Sequence, residues 1–416
     1  MNNLLKNSAK LLSANAFAQI LGIIIYPILT RLYAPEDFGL LNLFLSVASI
    51  LIMFSTAEYQ NAIILAKDEK TAVAVSYVCA IGISIVTALL LLSLPVSSHI
   101  VGLFKAPELA SVYWMLPLFI LLSGVWVVLN YWFTRRGAFS HISGYQVSQS
   151  VLSAGIKTGL GYAPACPTGL VIGSVSAPLL ALIGGISIGR KHLRPLLHIP
   201  SRDDIRAALR EFRRFPIYSL PRNLTNTIGG NLPTILLVPA FGLTQVGFYG
   251  MVLTLAFRPI QLIVGSIYQP LFQQVSNAVH ERQSIWATHT RYLKSMGALC
   301  LFFIPIYFIT PWLVKWLLGN DWAVTADMIR LSLPWLAMMF IGAPLAYISD
   351  VFGKQKIAFR IEVVYLLLRI ASILIGIHTG DILLAIALMS ASGTLIIAFQ
   401  VLCYVKWIRE YERTIA

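Results

Sequence analysis

Residues 190–215 read RKHLRPLLHIPSRDDIRAALREFRRF, the longest strongly charged stretch of the chain. Eight Lys and Arg fall between 190 and 214, whereas the sequence on either side is dominated by long apolar runs. Ser201-Arg202-Asp203-Asp204 predicts a helix start, because a serine cap and first-turn acids satisfy the unpaired amides there. Ile205, Leu209 and Phe212 follow at helical spacing, with Arg202, Arg206, Arg210 and Arg213 beside them. The helix is therefore amphipathic and suited to an anionic membrane surface. Neither a separate domain nor an aromatic stacking surface accompanies the arginines, so nucleic acid is not their expected partner.

Outward from this stretch, the apolar runs can be counted. A helix crossing a bilayer needs about 20 mostly apolar residues. Six such runs precede it, near 11–30, 39–58, 72–95, 112–133, 143–163 and 168–189. Six follow, near 216–240, 246–270, 294–318, 329–349, 357–378 and 382–405. Of the 416 residues 57% are hydrophobic and only 12% charged, with a mean hydropathy of +0.77. Soluble domains carry about 25% charged residues, so a soluble enzyme, a disordered chain and a secreted disulfide scaffold are excluded. The expected fold is an all-α polytopic membrane protein of twelve transmembrane helices. An N-terminal six-helix lobe occupies 1–189, a cytoplasmic amphipathic linker 190–215 and a C-terminal six-helix lobe 216–416. Lys6 and Lys10 precede the first run as in a signal peptide, but that run is too long for one and reads as a retained span.

Charge orients the helices. With the N-terminus in the cytoplasm, the inside connections collect 23 Lys and Arg and the outside ones only Arg31, Lys105, Lys315 and Arg330. The positive-inside rule then puts both termini in the cytoplasm. Cys79, Cys166, Cys300 and Cys403 are far apart and lie in or beside apolar runs, so they read as small buried hydrophobes rather than a metal or redox motif. No HExxH, Walker A loop or paired-cysteine motif occurs, so neither an enzyme nor a bound cofactor is expected. Uphill transport without ATP needs an ion gradient, a partner or consumption of the product.

The two halves echo each other. Leu32-Tyr-Ala-Pro-Glu-Asp-Phe-Gly39-Leu-Leu41 follows the first run, and Ala240-Phe-Gly-Leu-Thr-Gln-Val-Gly247-Phe-Tyr249 follows the seventh. Arg135-Arg-Gly-Ala138-Phe139 and Lys354-Gln-Lys-Ile-Ala358-Phe359 form a second echo between the fourth and fifth runs of each half. An even number of spans per half makes this a parallel repeat, an architecture that places substrate at the interface between bundles.

Four cations remain after the topological tally: Lys157, Arg222, Arg258 and Arg369, all inside spans. Ionisable groups at membrane depth are costly and usually face a cavity. In the seventh span Arg222, Asn226 and Gly230 recur at i, i+4, i+8, with Asn223, Thr227 and Asn231 alongside, forming one polar stripe. Thr254, Arg258, Gln261 and Gly265 share a face of the eighth, and Gln149, Ser153 and Lys157 a face of the fifth. Glu362, Tyr365 and Arg369 align on the eleventh, and Asn15, Gln19, Gly22 and Tyr26 on the first. A net positive interior attracts anions, and a guanidinium fork suits phosphate oxygens. Plainer roles stand beside this one. Lys157 or Arg258 snorkels to an interface, Glu362 neutralises Arg369, and the asparagines join helices.

Arg31-Leu-Tyr-Ala-Pro-Glu-Asp-Phe-Gly-Leu-Leu41 resembles the opening of Wzx-type polysaccharide flippases. Pro216-Ile-Tyr-Ser-Leu-Pro221 with Asn226 and Asn231-Leu-Pro233 is similar to their seventh span. Val246-Gly-Phe-Tyr249 with Arg258-Pro259, Gly265 and Gln269 is similar to their eighth, and Thr168-Gly-Leu-Val-Ile-Gly173 to the start of their sixth. Each motif is short, and their order and spacing carry the likeness over the whole chain. The resemblance implies the multidrug/oligosaccharidyl-lipid/polysaccharide exporter superfamily, with two six-helix lobes around a central cavity. It implies alternating access that flips undecaprenyl-pyrophosphate-linked oligosaccharide across the bacterial inner membrane for O-antigen or related polysaccharide assembly. On that view Arg222 and Arg258 hold the pyrophosphate, with Lys157 and Arg369 as further contacts. Asn223, Asn226 and Gln261 bond sugar hydroxyls, and Glu362 is the candidate for proton or sodium coupling. The implied partners are the lipid-linked oligosaccharide, membrane lipids, the coupling ion and the polysaccharide polymerase machinery. The turn Ala163-Pro164-Ala165-Cys166-Pro167-Thr168 departs from the family pattern, its prolines making it stiff. A drug antiporter should favour internal acids, a peptidoglycan-precursor flippase should have further spans, and a glycan polymerase should have a large outside catalytic loop.

Overall fold

A computed structural model describes residues 2–163 and 167–415, with backbone alone for 2–12, 14 and 15. The expected stiff turn at 164–166 and the Asn15 side chain lie outside the described residues. The first helices are α1 (Asn2–Leu32), α2 (Pro35–Thr56), α3 (Gln60–Leu65), α4 (Glu69–Ser93), α5 (Ser97–Phe104) and α6 (Leu109–Tyr113). There follow α7 (Met115–Arg135), α8 (Phe139–Gly161), α9 (Gly169–Leu193), α10 (Arg202–Glu211), α11 (Leu220–Val252) and α12 (Arg258–His280). The chain ends with α13 (Trp286–Cys300), α14 (Phe303–Leu318), α15 (Ala323–Gly342), α16 (Ile348–Val351), α17 (Gln355–Thr379) and α18 (Ile382–Ile415). No strand occurs among the described residues.

Nine helical segments among the described residues are long and apolar enough to cross a membrane. One of them, Phe215–His280, has 66 residues. At a rise of about 1.5 Å per residue that is roughly 100 Å of helix, two crossings rather than one. The break falls at Gly242, whose φ of 82° and ψ of 171° leave the helical region and suit only a residue without a Cβ. The more polar α1 and α8 complete the twelve. The expected all-α, twelve-helix membrane fold is the one observed.

Packing divides the chain into two compact units, Met1–Gly247 and Phe248–Ala416. In the first, the turn after α1 is built by its own sequence. Pro35 opens α2, and the Asp37 carboxylate accepts the Ala34 amide at 2.9 Å. Here the two repeated glycines meet. A Cβ on Gly39 would land on the Leu243 carbonyl, and one on Gly247 on the Pro35 carbonyl. Between helices in lipid, association depends on close packing rather than on the hydrophobic effect, and these glycines permit backbone contact.

At the other end of the unit, Arg135 closes α3. Its guanidinium donates to the carbonyls of Ile63 at 3.0 Å and Ala66 at 2.7 Å, at the end of the helix where carbonyls lack intrahelical partners, and to that of Asp68 at 3.1 Å, which also accepts the Ala72 amide. The charged linker packs onto the same place. Helix α10 begins at the expected Ser201 cap, whose Oγ accepts the Asp204 amide at 3.1 Å. Lys70 and Asp204 form an ion pair at 2.8 Å. Ala208 is buried, and Ile205 and Phe212 pack against a core that includes Tyr59, Ile63, Val75 and Trp132. The apolar face of the amphipathic linker helix therefore meets protein, where a lipid surface was expected. Only Leu209 among its larger apolar residues is exposed, at 39%.

In the second unit, α12, α13, α16 and α18 enclose Leu271, Val275, Ile285, Tyr347, Trp407 and Ile408. His289 is buried there, with Nε2 3.0 Å from the Tyr347 hydroxyl. Glu412, near the end of α18, accepts the Ile285 and Trp286 amides at 2.7 and 2.9 Å and so caps α13. Helix α14 presents Ile304, Phe308, Trp312 and Trp316 outward, the composition of a lipid-facing surface with interfacial tryptophans.

Candidate functional site

The candidate residues divide between the units. In the first, α11 begins after a π-helical turn at Phe215–Ser219, a distortion of the sort often found at functional sites. It carries Arg222 and Asn226 exposed and Asn223 half-buried on one stripe. Asn231 donates its side-chain amide back to the Thr227 carbonyl at 2.8 Å. Lys157 lies one turn before the end of α8, half-buried. Its carbonyl accepts the Tyr33 hydroxyl at 2.7 Å, and its side-chain stem crosses α9 at Gly173. Between α8 and α9 runs an open slot of about 300 Å³, walled by Tyr145, Leu152, Leu180, Gly184, Gly185 and Ile188. Its emptiness follows from the glycines, and its apolar walls suit hydrocarbon.

In the second unit a π-helical turn, Leu253–Phe257, leads into α12. Arg258 and Gln261 follow directly, both exposed and one turn apart. Tyr365 and Arg369, expected to share a face of α17, do so. The Arg369 guanidinium lies 4.5 Å above the Tyr365 ring and donates to its hydroxyl at 2.6 Å. It also lies 6.0 Å from the ring of Trp335, which stacks on Phe257 at 5.6 Å. Glu362, two turns earlier, is exposed. These residues line or neighbour a recess formed by Tyr249, Ser332, Trp335, Tyr365, Arg369 and Ser390, with Ile386 and Met389.

Helix position also grades the cations. Arg258 sits near the middle of the helical run after Gly242, and Arg369 near the middle of α17. Arg222 and Lys157 each lie within two turns of a helix end.

Two features escaped the sequence reading. Glu58, the last residue of the second apolar run, is 5% exposed. It follows Ala57 in a left-handed turn, with φ of 47° and 64° at residues 57 and 58, and accepts the Asn61 side-chain amide at 2.6 Å. No sequence signal marks left-handed backbone at Ala-Glu, since only packing enforces it. Trp335 and Ser390 were missed because each sits in an apolar run that reads as lipid-facing.

A model of the polysaccharide biosynthesis protein family matches residues 28–327. No curated protein matches the sequence. Among solved structures, the chain is similar to lipid II flippase MurJ in an inward closed conformation. That likeness has a TM-score of 0.69 at 14% identity, over 97% of this chain and 90% of that one. An outward-facing multidrug resistance MATE family transporter gives 0.55 at 14% identity, over 98% and 96%. A MOP superfamily transporter from Pyrococcus furiosus gives 0.53 at 15% identity, over 99% and 96%. At these identities the structural likeness establishes the fold, and the sequence match establishes the family. The chain belongs to the polysaccharide biosynthesis protein family and has the fold of the multidrug/oligosaccharidyl-lipid/polysaccharide exporter superfamily.

Proposed function

We propose that this protein flips an undecaprenyl-pyrophosphate-linked oligosaccharide from the cytoplasmic to the periplasmic leaflet of a bacterial inner membrane, for surface polysaccharide assembly. The observation that carries this reading is the cationic set Lys157, Arg222 and Arg258 on polar-faced spanning helices of a polysaccharide biosynthesis protein. A pyrophosphate and its glycan cannot cross hydrocarbon unaided, since each lost hydrogen bond costs several kcal/mol. Fixed cations in a wet path replace those bonds. The fold is that of MurJ, a lipid II flippase, which supports a lipid-borne cargo. A cationic drug would be repelled by the same charges.

With both termini cytoplasmic, Arg222 lies toward the entry side, Arg258 at mid-depth and Lys157 toward the exit. Each cation then holds the headgroup at its own depth as access alternates. Asn223, Asn226 and Gln261 bond sugar hydroxyls on the way, and Glu362 couples the cycle to a proton or sodium ion. The polyprenyl tail stays in lipid, and the slot between α8 and α9 is the gap through which it trails. Arg369 lines a recess too small for a pyrophosphate, so the headgroup role rests on the other three cations. The test is deletion of the gene in its host, followed by assignment of the lipid-linked oligosaccharide to a leaflet. Accumulation on the cytoplasmic side is expected. Accumulation of single repeat units on the periplasmic side would overturn the reading in favour of a polymerase.

A further inference from the structure

The Arg369 recess belongs wholly to the second unit, among the last turns of α11 and helices α15, α17 and α18. Its cavity is about 20 Å³, room for one occupant of roughly water size. That excludes sugar, pyrophosphate and any carboxylic acid larger than the smallest. Beside Trp335, Ile386 and Met389, its wall carries one guanidinium and four hydroxyls. Arg369 contributes a guanidinium, and Tyr249, Tyr365, Ser332 and Ser390 contribute hydroxyls, while no Asp or Glu is among the lining residues.

Three of the four hydroxyls can be followed. Ser332 spends its proton on the Met328 carbonyl at 2.8 Å. Tyr365 accepts from Arg369 at 2.6 Å, so its own proton is directed elsewhere. Ser390 is only 4% exposed, and its Oγ is buried with no hydrogen-bond partner. A buried hydroxyl left unsatisfied is costly and calls for an explanation, commonly an ion or water. Helical spacing puts Ser390 and Met389 on the α18 face that lines the recess, one turn after Ile386. Gly393, a further turn on, leaves the room in which Trp335 and the Tyr365 hydroxyl sit, since a Cβ there would strike both.

We propose that this recess binds one small monovalent anion of the halide class, held by the Arg369 guanidinium and the Ser390 and Tyr365 hydroxyls. A halide only accepts hydrogen bonds, which matches the Ser390 and Tyr365 hydroxyls beside the Arg369 guanidinium. A metal cation would meet the guanidinium at short range, with Coulomb repulsion barely screened in such surroundings. The occupancy of the site does not depend on what the protein transports. Its effect is to link α17 and α18 through one charge.

The test uses the full-length protein in lipid nanodiscs, unfolded by heat in sodium chloride, sodium bromide or sodium gluconate at equal ionic strength. Chloride and bromide are expected to raise the midpoint temperature by about 3 °C or more over gluconate, saturably. Arg369→Gln should raise the half-saturating chloride concentration at least tenfold, and Ser390→Ala, which removes one oxygen without disturbing packing, several-fold. Bromide should give an anomalous diffraction peak in the recess. Equal stability in all three salts would overturn the proposal, as would unchanged chloride dependence in Ser390→Ala or bromide-soaked crystals without the peak. None of these outcomes bears on leaflet accumulation, so the transport reading stands or falls separately.

Discussion

At the scale of single residues, the headgroup assignment and the glycine contact are the points most open to test. Arg222→Ala or Arg258→Ala should reduce export by at least tenfold at unchanged protein level and membrane insertion. The Lys variants should retain part of the activity, since a point charge keeps the attraction and loses the bidentate fork. Full export by both Ala variants, scored as surface polysaccharide per unit of protein, would remove the pyrophosphate role. Gly39 and Gly247 make a different prediction, because their reason is steric. A methyl at either site meets a carbonyl oxygen of the facing backbone, so the helices must separate. Overpacking typically costs about 1–3 kcal/mol, and with rigid backbone as the obstacle the upper end is expected. Gly39→Ala and Gly247→Ala should each lower the thermal midpoint of the purified protein by several degrees. An unchanged midpoint would show that the two turns do not touch.

At the scale of elements, α10 is held by a polar clasp as well as by its apolar face. The Lys70 ammonium, and then the Ser201 hydroxyl, hold the Asp204 carboxyl below the usual carboxylate range. The sign follows from that depression. The folded state favours the ionised form, so the contribution is fully present above the unfolded value of about 3.9. It is lost as pH falls through the depressed folded value. Amide exchange in α10, corrected for intrinsic rates, should therefore be flat from pH 7 to 5 and accelerate only below about pH 4. Asp204→Asn should abolish that step. A step centred near pH 6 would show that a group other than Asp204 holds α10 in place. The Asp68 carboxyl, also held low by the Thr71 amide and hydroxyl, caps α4 in the same window, so the α4 terminus should loosen together with α10.

At the scale of the whole molecule, the charge tally predicts that both ends of the chain face the cytoplasm. A C-terminal alkaline phosphatase fusion should be inactive and a fluorescent protein fusion bright, and the reverse pattern would invert the path proposed for the headgroup. Twelve spans, their order and the amphipathic α10 were legible in the sequence, because transfer of some twenty apolar residues into lipid and the bias of Lys and Arg are local, additive properties. The four cations within spans were legible for the same reason, since charge is conspicuous against an apolar background. The tertiary structure alone decided what each of them touches. It turned Arg369 onto Tyr365 and Trp335, brought Ser390 of α18 to the same recess, buried Glu58 in a left-handed turn, and set α10 against α3 and α4. Periodicity identifies the face of a helix but not the helix it meets, and that pairing depends on contacts between residues far apart in the chain. The repeat shows the difference most plainly. The sequence alone marks Gly39 and Gly247 as equivalent, but their contact exists only because folding brings the two turns to one place, where neither can carry a side chain.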